Sequence, residues 1–321
     1  MRKLMSLAIL LTALYGGYWF VGSRAVLSGV ETALSRLRDQ GQVNYASIGL
    51  VGFPSRFDLT VEAPEVRGQD ISWAAPFLQV FALSYKPNQI IAVWPHEQTV
   101  TLAGQRFDLG AEDMRASALF GADTSLPLDH AQMVVKAPTL AAALGWRASA
   151  TEARLATQSI SDDGRAHRVG VEITGIEMTG AAPTGLGATP VERAYLDATL
   201  SFDRPIDRFA GETVPRLARA EIDEARLVWG DMRAEADGTV EVTPSGTPEG
   251  KLTVKLVQWR QMLDAAREMA LLSPVDAANL ERMLDGISRG TADPDSVSLP
   301  FTLRQGMVYL GPFALGPAPR L

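Results

Sequence analysis

Two hydrophobic periods divide the chain. From Leu4 to Ser23 no residue is charged, and Leu4, Leu7, Ile9, Leu10, Leu11, Leu14 and Val21 make the run apolar. Val26, Leu27, Val30, Ala33, Leu34 and Leu37 then recur at helical spacing, opposite Glu31, Arg36, Arg38 and Asp39, with Gly41 placed to stop a helix. From about residue 42 the period falls to two. Phe57, Leu59 and Val61 alternate with Arg56, Asp58, Thr60 and Glu62, and Ala194 to Phe202 alternates in the same way. Val169–Ile173 and Leu252–Leu256 repeat the pattern, which predicts strands with one apolar and one solvated face. Ala103-Gly104, Asp163-Gly164, Asp237-Gly238, Glu249-Gly250 and Gln305-Gly306 read as tight antiparallel turns between such strands. The helical period returns at Trp259, Met262, Leu263, Ala266 and Ala270. It resumes at Leu280, Met283, Leu284 and Ile287, after a Ser273 cap with Pro274 at the first helical position.

These elements predict a mainly β fold. A transmembrane anchor over 1–23 and an amphipathic stalk over 24–41 precede a periplasmic antiparallel β domain over 42–321. The sheet is expected to be curved or twisted, as a half-open groove or a sandwich. A helical hairpin over 259–289 is inserted near the C-terminus, and the Gly/Pro/Thr-rich stretch 181–190 is a loop or linker.

The first run is long enough to cross a bilayer as a helix. Arg2 and Lys3 favour a cytoplasmic N-terminus, which exports the remainder, and Tyr15, Tyr18 and Trp19 suit the far interface. A single-pass inner-membrane protein with its bulk in the periplasm follows. The alternative is a cleaved signal peptide, since Ser23-Arg24-Ala25 fits a small-x-small site; the length of the apolar run and the bulky aromatics before that site favour retention.

Composition narrows the chemistry. Among 321 residues there is no cysteine, which excludes thiolate metal sites and cysteine nucleophiles. A net charge of −7 argues against a nucleic-acid partner. His96, His130 and His167 share no ligand spacing, so neither a metal nor a cofactor is expected. Gly246 to Leu252 lacks one spacer residue and the hydroxyl of a phosphate loop. Asp162-Asp163-Gly164 is better explained as a turn, and Asp129-His130 should point to opposite faces of a strand. No catalytic residue is assigned, and the protein is not expected to be an enzyme.

The most unusual stretch is Ile71 to Glu97, where Trp73, Phe77, Phe81 and Trp94 are interleaved with prolines around a hairpin turn at Lys86-Pro87-Asn88. Those four aromatics are the candidate lipid- or partner-binding residues; the competing account is that they supply core area. Gly52-Phe53-Pro54-Ser55-Arg56-Phe57-Asp58-Leu59, Trp73-Ala74-Ala75-Pro76-Phe77 and Ile90 to Glu97 resemble the signature blocks of an uncharacterised bacterial envelope family, domain of unknown function 2125. Leu299-Pro300-Phe301 through Pro319 resembles its end block. More distantly, a membrane helix leading into amphipathic hairpins is similar to the AsmA-like inner-membrane proteins. That resemblance implies an envelope role and, for long members, phospholipid movement along an apolar β-groove.

The expectation is therefore a non-enzymatic, membrane-anchored envelope protein binding lipid or a hydrophobic partner through an amphipathic sheet. Inner-membrane lipids are the expected partners, with another envelope protein as the alternative in a structural or assembly role. A hydrolase of envelope polymers would need a converging acid pair that the sequence does not display.

Overall fold

The structure, a computed structural model, describes residues 1–68, 70–143, 145–180, 190–268, 273–290 and 293–320. It opens with helix α1 (Arg2–Asp39), which runs without a break through the expected boundary between anchor and stalk and ends before Gly41 at φ +72. Strands β1 (Val43–Asn44), β2 (Ser47–Val51), β3 (Arg56–Glu62), β4 (Glu65–Arg67) and β5 (Ile71–Ala74) follow. Next come β6 (Phe77–Leu83), β7 (Lys86–Val93), β8 (Glu97–Leu102), β9 (Gln105–Gly110) and β10 (Asp113–Phe120). Then β11 (Leu128–Lys136), β12 (Thr139–Ala142), β13 (Trp146–Ser149), β14 (Glu152–Ser159) and β15 (Ala166–Gly180). The last long strands are β16 (Val191–Phe202), β17 (Leu217–Trp229), β18 (Met232–Val242) and β19 (Pro248–Val257). Helices α2 (Trp259–Glu268) and α3 (Pro274–Ser288) precede β20 (Ser296–Arg304), β21 (Met307–Leu310) and β22 (Phe313–Pro317).

All pairings are antiparallel and form an open sheet in two leaves. The long leaf runs β2-β3-β6-β7-β10-β11-β14-β15-β16-β17-β18-β19-β20-β21-β22. The short leaf runs β1-β4-β5-β8-β9-β12-β13, and β13 pairs with the end of β15, which belongs to both. A crease joins them, at Ala63-Pro64, Ala75-Pro76, Trp94 to His96, Ala137-Pro138 and Gly175. Backbone bonds continue across it, among them Ala63 N to Pro76 O at 2.8 Å, Ala75 N to Pro64 O at 3.1 Å and Ala137 N to Thr151 O at 2.9 Å. Ala63, Ala137 and Gly175 hold φ of 45, 46 and 62 there, so three strands bend in step. Prolines collect at this line because their missing N–H would interrupt a ladder elsewhere.

Three expected turns form: Ala103-Gly104, Asp163-Gly164 and Gln305-Gly306 connect adjacent strands. Two do not. Asp237-Gly238 lies inside β18 and Glu249-Gly250 inside β19. Here glycine serves close approach of two backbones: a Cβ on Gly250 would lie 2.1 Å from Thr239 O, and one on Gly238 2.3 Å from Lys251 O. Gly250→Ala should therefore cost about 1–3 kcal/mol; a denaturant midpoint equal to wild type would contradict this. The β6–β7 turn is Ser84-Tyr85, with Lys86-Pro87-Asn88 already in β7, where the register skips between Leu83↔Lys86 and Ala82↔Ile90. Pro87 falls in that skip, so it removes no ladder bond.

The helical hairpin forms as expected, with Ser273 Oγ accepting from Asp276 N at 3.1 Å. Ala270 and residues 181–189 of the expected linker lie outside the described residues. Trp259, Leu263, Ala277 and Leu284 pack on Val297, Leu299 and Leu310, covering one end of the sheet.

Candidate functional site

Register turns the separate alternations into rows that cross the sheet. Leu50, Leu59, Val80, Ala92, Ala116, Met133, Leu155 and Val171 are direct cross-strand neighbours. The row continues through Leu196, Ala225, Ala236 and Val254 to Leu299. One step along each strand, on the opposite face, Arg154, Glu172, Tyr195, Arg226, Glu235 and Lys255 form a charged row. One face of the long leaf is thus apolar from edge to edge, and the other carries ion pairs such as Arg168–Asp197 at 2.6 Å and Arg193–Glu172 at 2.7 Å.

Helices cover only the two ends of the apolar face. At the first, Trp19 of α1 packs on Phe57 with ring centroids 6.0 Å apart, and Gly22 lies against the same ring. At the other, α2 and α3 sit on β19 to β21. Among the described residues the helix clusters leave the middle of β7, β10, β11, β14, β15, β16 and β17 uncovered; α2 reaches only the crease-side ends of β15 to β17, where Ala265 packs with Val191, Trp229 and Ile176. Leu155, in the middle of the row, is 42% exposed, and Leu227 on the same face is exposed as well. The whole chain exposes 19259 Å², where a compact monomer of its 34.5 kDa exposes about 13,000 Å². The molecule is largely one layer thick, and its apolar face lies open between the helices that cover its ends. Arg36 of α1 reaches Glu212, in the β16–β17 connection, at 3.0 Å, tying that helix to the middle of the sheet.

The short leaf adds a second apolar row, Val43, Val66, Trp73, Val100, Phe107 and Ala142. Trp73 Nε1 donates to Gln98 Oε1 at 2.8 Å, and Gln98 Nε2 reaches Met114 Sδ at 3.1 Å, which joins this row to the long leaf's apolar face. Trp94 lies in the crease, its backbone N–H bonded to Met114 O at 3.1 Å. Phe77 and Phe81 are elsewhere. They pair with Glu62 and Asp58, which puts them on the polar face, with Ile91 beside Phe81. The four aromatics chosen from sequence therefore do not converge: Trp73 belongs to the apolar rows, Phe77 and Phe81 to the reverse side. The open apolar patch at Met133, Leu155, Val171, Leu196 and Leu227 escaped sequence reasoning. Its only signal is the alternation within each strand, which is silent on how strands line up.

Polar cavities also exist. One of about 650 Å³ lies along the crease among Glu65, Glu97, Arg106, Asp108 and Arg147, where Arg106 pairs with Asp108 at 3.1 Å. Another of about 510 Å³ lies on the charged face among His130, Gln158, Arg168, Tyr195 and Asp197. Asp129 and His130, expected on opposite faces, meet at 3.0 Å. The register shift pairs Phe120 with Leu128 but Leu119 with His130, leaving Asp129 as the extra residue of a bulge, which re-aims its side chain. Both are well exposed. His167 is fully buried, and desolvation lowers its pKa against a weaker opposing bond to Gly164 O, so it sits as a neutral structural imidazole beside Phe202. Among the described residues, every carboxylate with a displaced pKa moves downward. Hydrogen bonds from Arg115, Arg168, Arg204 and Arg289 are the leading causes for Asp113, Asp197, Asp203 and Asp285, and from the Ser125 and Ser161 hydroxyls for Asp123 and Asp163. Among the described residues no group of three His, Asp or Glu side chains is placed to hold a metal.

The family model for an uncharacterised protein conserved in bacteria, DUF2125, matches residues 19–319. The chain belongs to this family. Its match begins at Trp19, the residue by which α1 docks on the sheet, so the family's shared unit includes the docked part of the helix. No curated protein and no solved structure matches the chain.

Proposed function

We propose that this DUF2125 protein is a single-pass inner-membrane protein whose sheet lies in the periplasm and holds lipid acyl chains along its open apolar face. The observation that carries the reading is the uncovered central part of the apolar row, with Leu155 42% exposed between two helix-covered ends. Apolar faces left open at this scale mark sites for a ligand, a membrane or a partner. Such a face fits acyl chains because each enclosed CH₂ contributes about 0.8 kcal/mol and no directional bonding is needed.

Retention of the N-terminal helix is supported by its apolar length and by its docking, since Trp19 is 7% exposed and bonded to the sheet. A disposable leader has no use for such contacts. Orientation rests on Arg2 and Lys3 before the apolar run. A non-enzymatic role follows the sequence reading, in which no catalytic residue is assigned.

Native mass spectrometry of the detergent-purified chain should show bound phospholipid, and an alkaline-phosphatase fusion after Gly41 should be active. A chain free of lipid would favour docking of another envelope protein on the same face. An inactive fusion would overturn the topology.

A further inference from the structure

The apolar helix can span a bilayer only if the part of the sheet docked on it enters the bilayer too. A hydrocarbon core of about 30 Å takes about 20 helical residues, which the uncharged stretch Leu4–Ser23 supplies between Lys3 and Arg24. From Leu4 to Leu14 there is only about 16 Å of helix. The next turns are already engaged by the sheet. Tyr15 Oη shares a hydrogen bond with Ser84 Oγ at 2.9 Å, Tyr18 Oη donates to Ser84 O at 2.6 Å, and Trp19 Nε1 donates to Arg56 O at 2.7 Å. If residues 15–23 lie in the bilayer, the two chain reversals they touch lie there as well.

Those reversals present exposed apolar side chains, with Arg56 ion-paired to Asp58 at 2.7 Å and Lys86 exposed beside them. Phe53, between β2 and β3, is 56% exposed and stands edge-on to Trp19 at 5.3 Å. Tyr85, in the β6–β7 turn, is 67% exposed, and Leu83 and Val51 beside the two turns are exposed too. Backbone groups at their centre are partnered without water: Ser84 is fully buried, its N–H donates to Ser55 O at 2.9 Å, its carbonyl takes the Tyr18 hydroxyl, and Arg56 N donates to Gly52 O at 2.9 Å. Satisfied backbone is what a hydrocarbon environment demands. We propose that the β2–β3 connection and the Ser84-Tyr85 turn are wedged into the leaflet farther from Arg2 and Lys3, so that the bilayer itself is the partner of this end of the sheet. This rests on the retained anchor of the proposed function and deepens it.

The chain has no cysteine, so single cysteines at exposed positions can carry an environment-sensitive fluorophore without background. The full chain, as Phe53→Cys or Tyr85→Cys, is reconstituted in vesicles of phosphatidylethanolamine and phosphatidylglycerol. Val214→Cys is the aqueous control. It lies in the β16–β17 connection that Glu212 ties to Arg36, about 25 Å farther along α1 than Trp19. Leu11→Cys reports the anchor. Nitroxide-labelled lipid should extinguish most emission at 53, 85 and 11, whereas aqueous iodide should act at 214 alone. Emission at 53 and 85 quenched by iodide like that at 214, with 11 quenched by lipid, would overturn the wedge and leave the anchor standing. Position 11 quenched by iodide would overturn both.

Discussion

Leu155→Asp should strip the copurifying lipid while leaving the fold intact. Leu155 is 42% exposed in the middle of the uncovered row, with Met133 and Val171 as its cross-strand neighbours. A carboxylate there keeps its water only if no acyl chain lies over it. Excluding about three CH₂ groups from contact weakens binding by about 2–3 kcal/mol, on the order of fiftyfold. Leu227→Asp, on the same face two strands beyond Val171, should act in the same direction. Phe77→Asp and Phe81→Asp are the controls. Sequence alone made both candidate lipid- or partner-binding residues, but register places them on the charged face, and they should keep their lipid. Native mass spectra with unchanged lipid in Leu155→Asp and Leu227→Asp, both with a β-dominated circular dichroism spectrum, would remove the open face as the binding site.

What the sequence disclosed was local. Alternation at Phe57–Val61, Val169–Ile173 and Leu252–Leu256 marked real strands and the correct apolar face of each. The Ser273 cap and its apolar stripe marked α3, and the break in pattern at Gly41 marked the end of α1. What it withheld was register. A row from Leu50 to Leu299 exists only once each strand is aligned with the next, and alignment is set by bends at Ala63, Ala137 and Gly175 that no pattern announces. Turn chemistry was ambiguous for a related reason. Asp237-Gly238 has the composition of a tight turn, yet its glycine is used where Lys251 O approaches. Tyr15, Tyr18 and Trp19 were legible as residues suited to a membrane interface. Their partners, Ser84 and Arg56, are far along the chain and could not be read from any local window.

Trp259→Ala should be the most damaging single substitution for stability. The indole is 1% exposed at the centre of the cluster that seats α2 and α3 on β19 to β21. Its Nε1 donates to Pro294 O at 3.1 Å, and Arg260 lies over the ring at 4.3 Å. Truncation removes the packed ring, leaves a cavity the sheet cannot close, and takes one of two donors from Pro294 O, which keeps Arg260 Nη1 at 3.1 Å. Cavity-forming changes of this size cost about 3–5 kcal/mol, a large share of the roughly 5–15 kcal/mol that holds a domain folded. Trp259→Phe restores the ring but not the donor, so it should recover most of the loss. Denaturant midpoints of the detergent-solubilised chains give the comparison, and a Trp259→Ala midpoint matching wild type would refute the assignment of this cluster as the main helical core. Hydrogen exchange then separates two routes to the same loss. If only α2 and α3 gain exchange, the hairpin is a removable cover, and its departure lengthens the open face toward Val297 and Leu299. If β14 to β17 exchange with them, the cover and the sheet fold as one unit, and the open face exists only while its end is sealed.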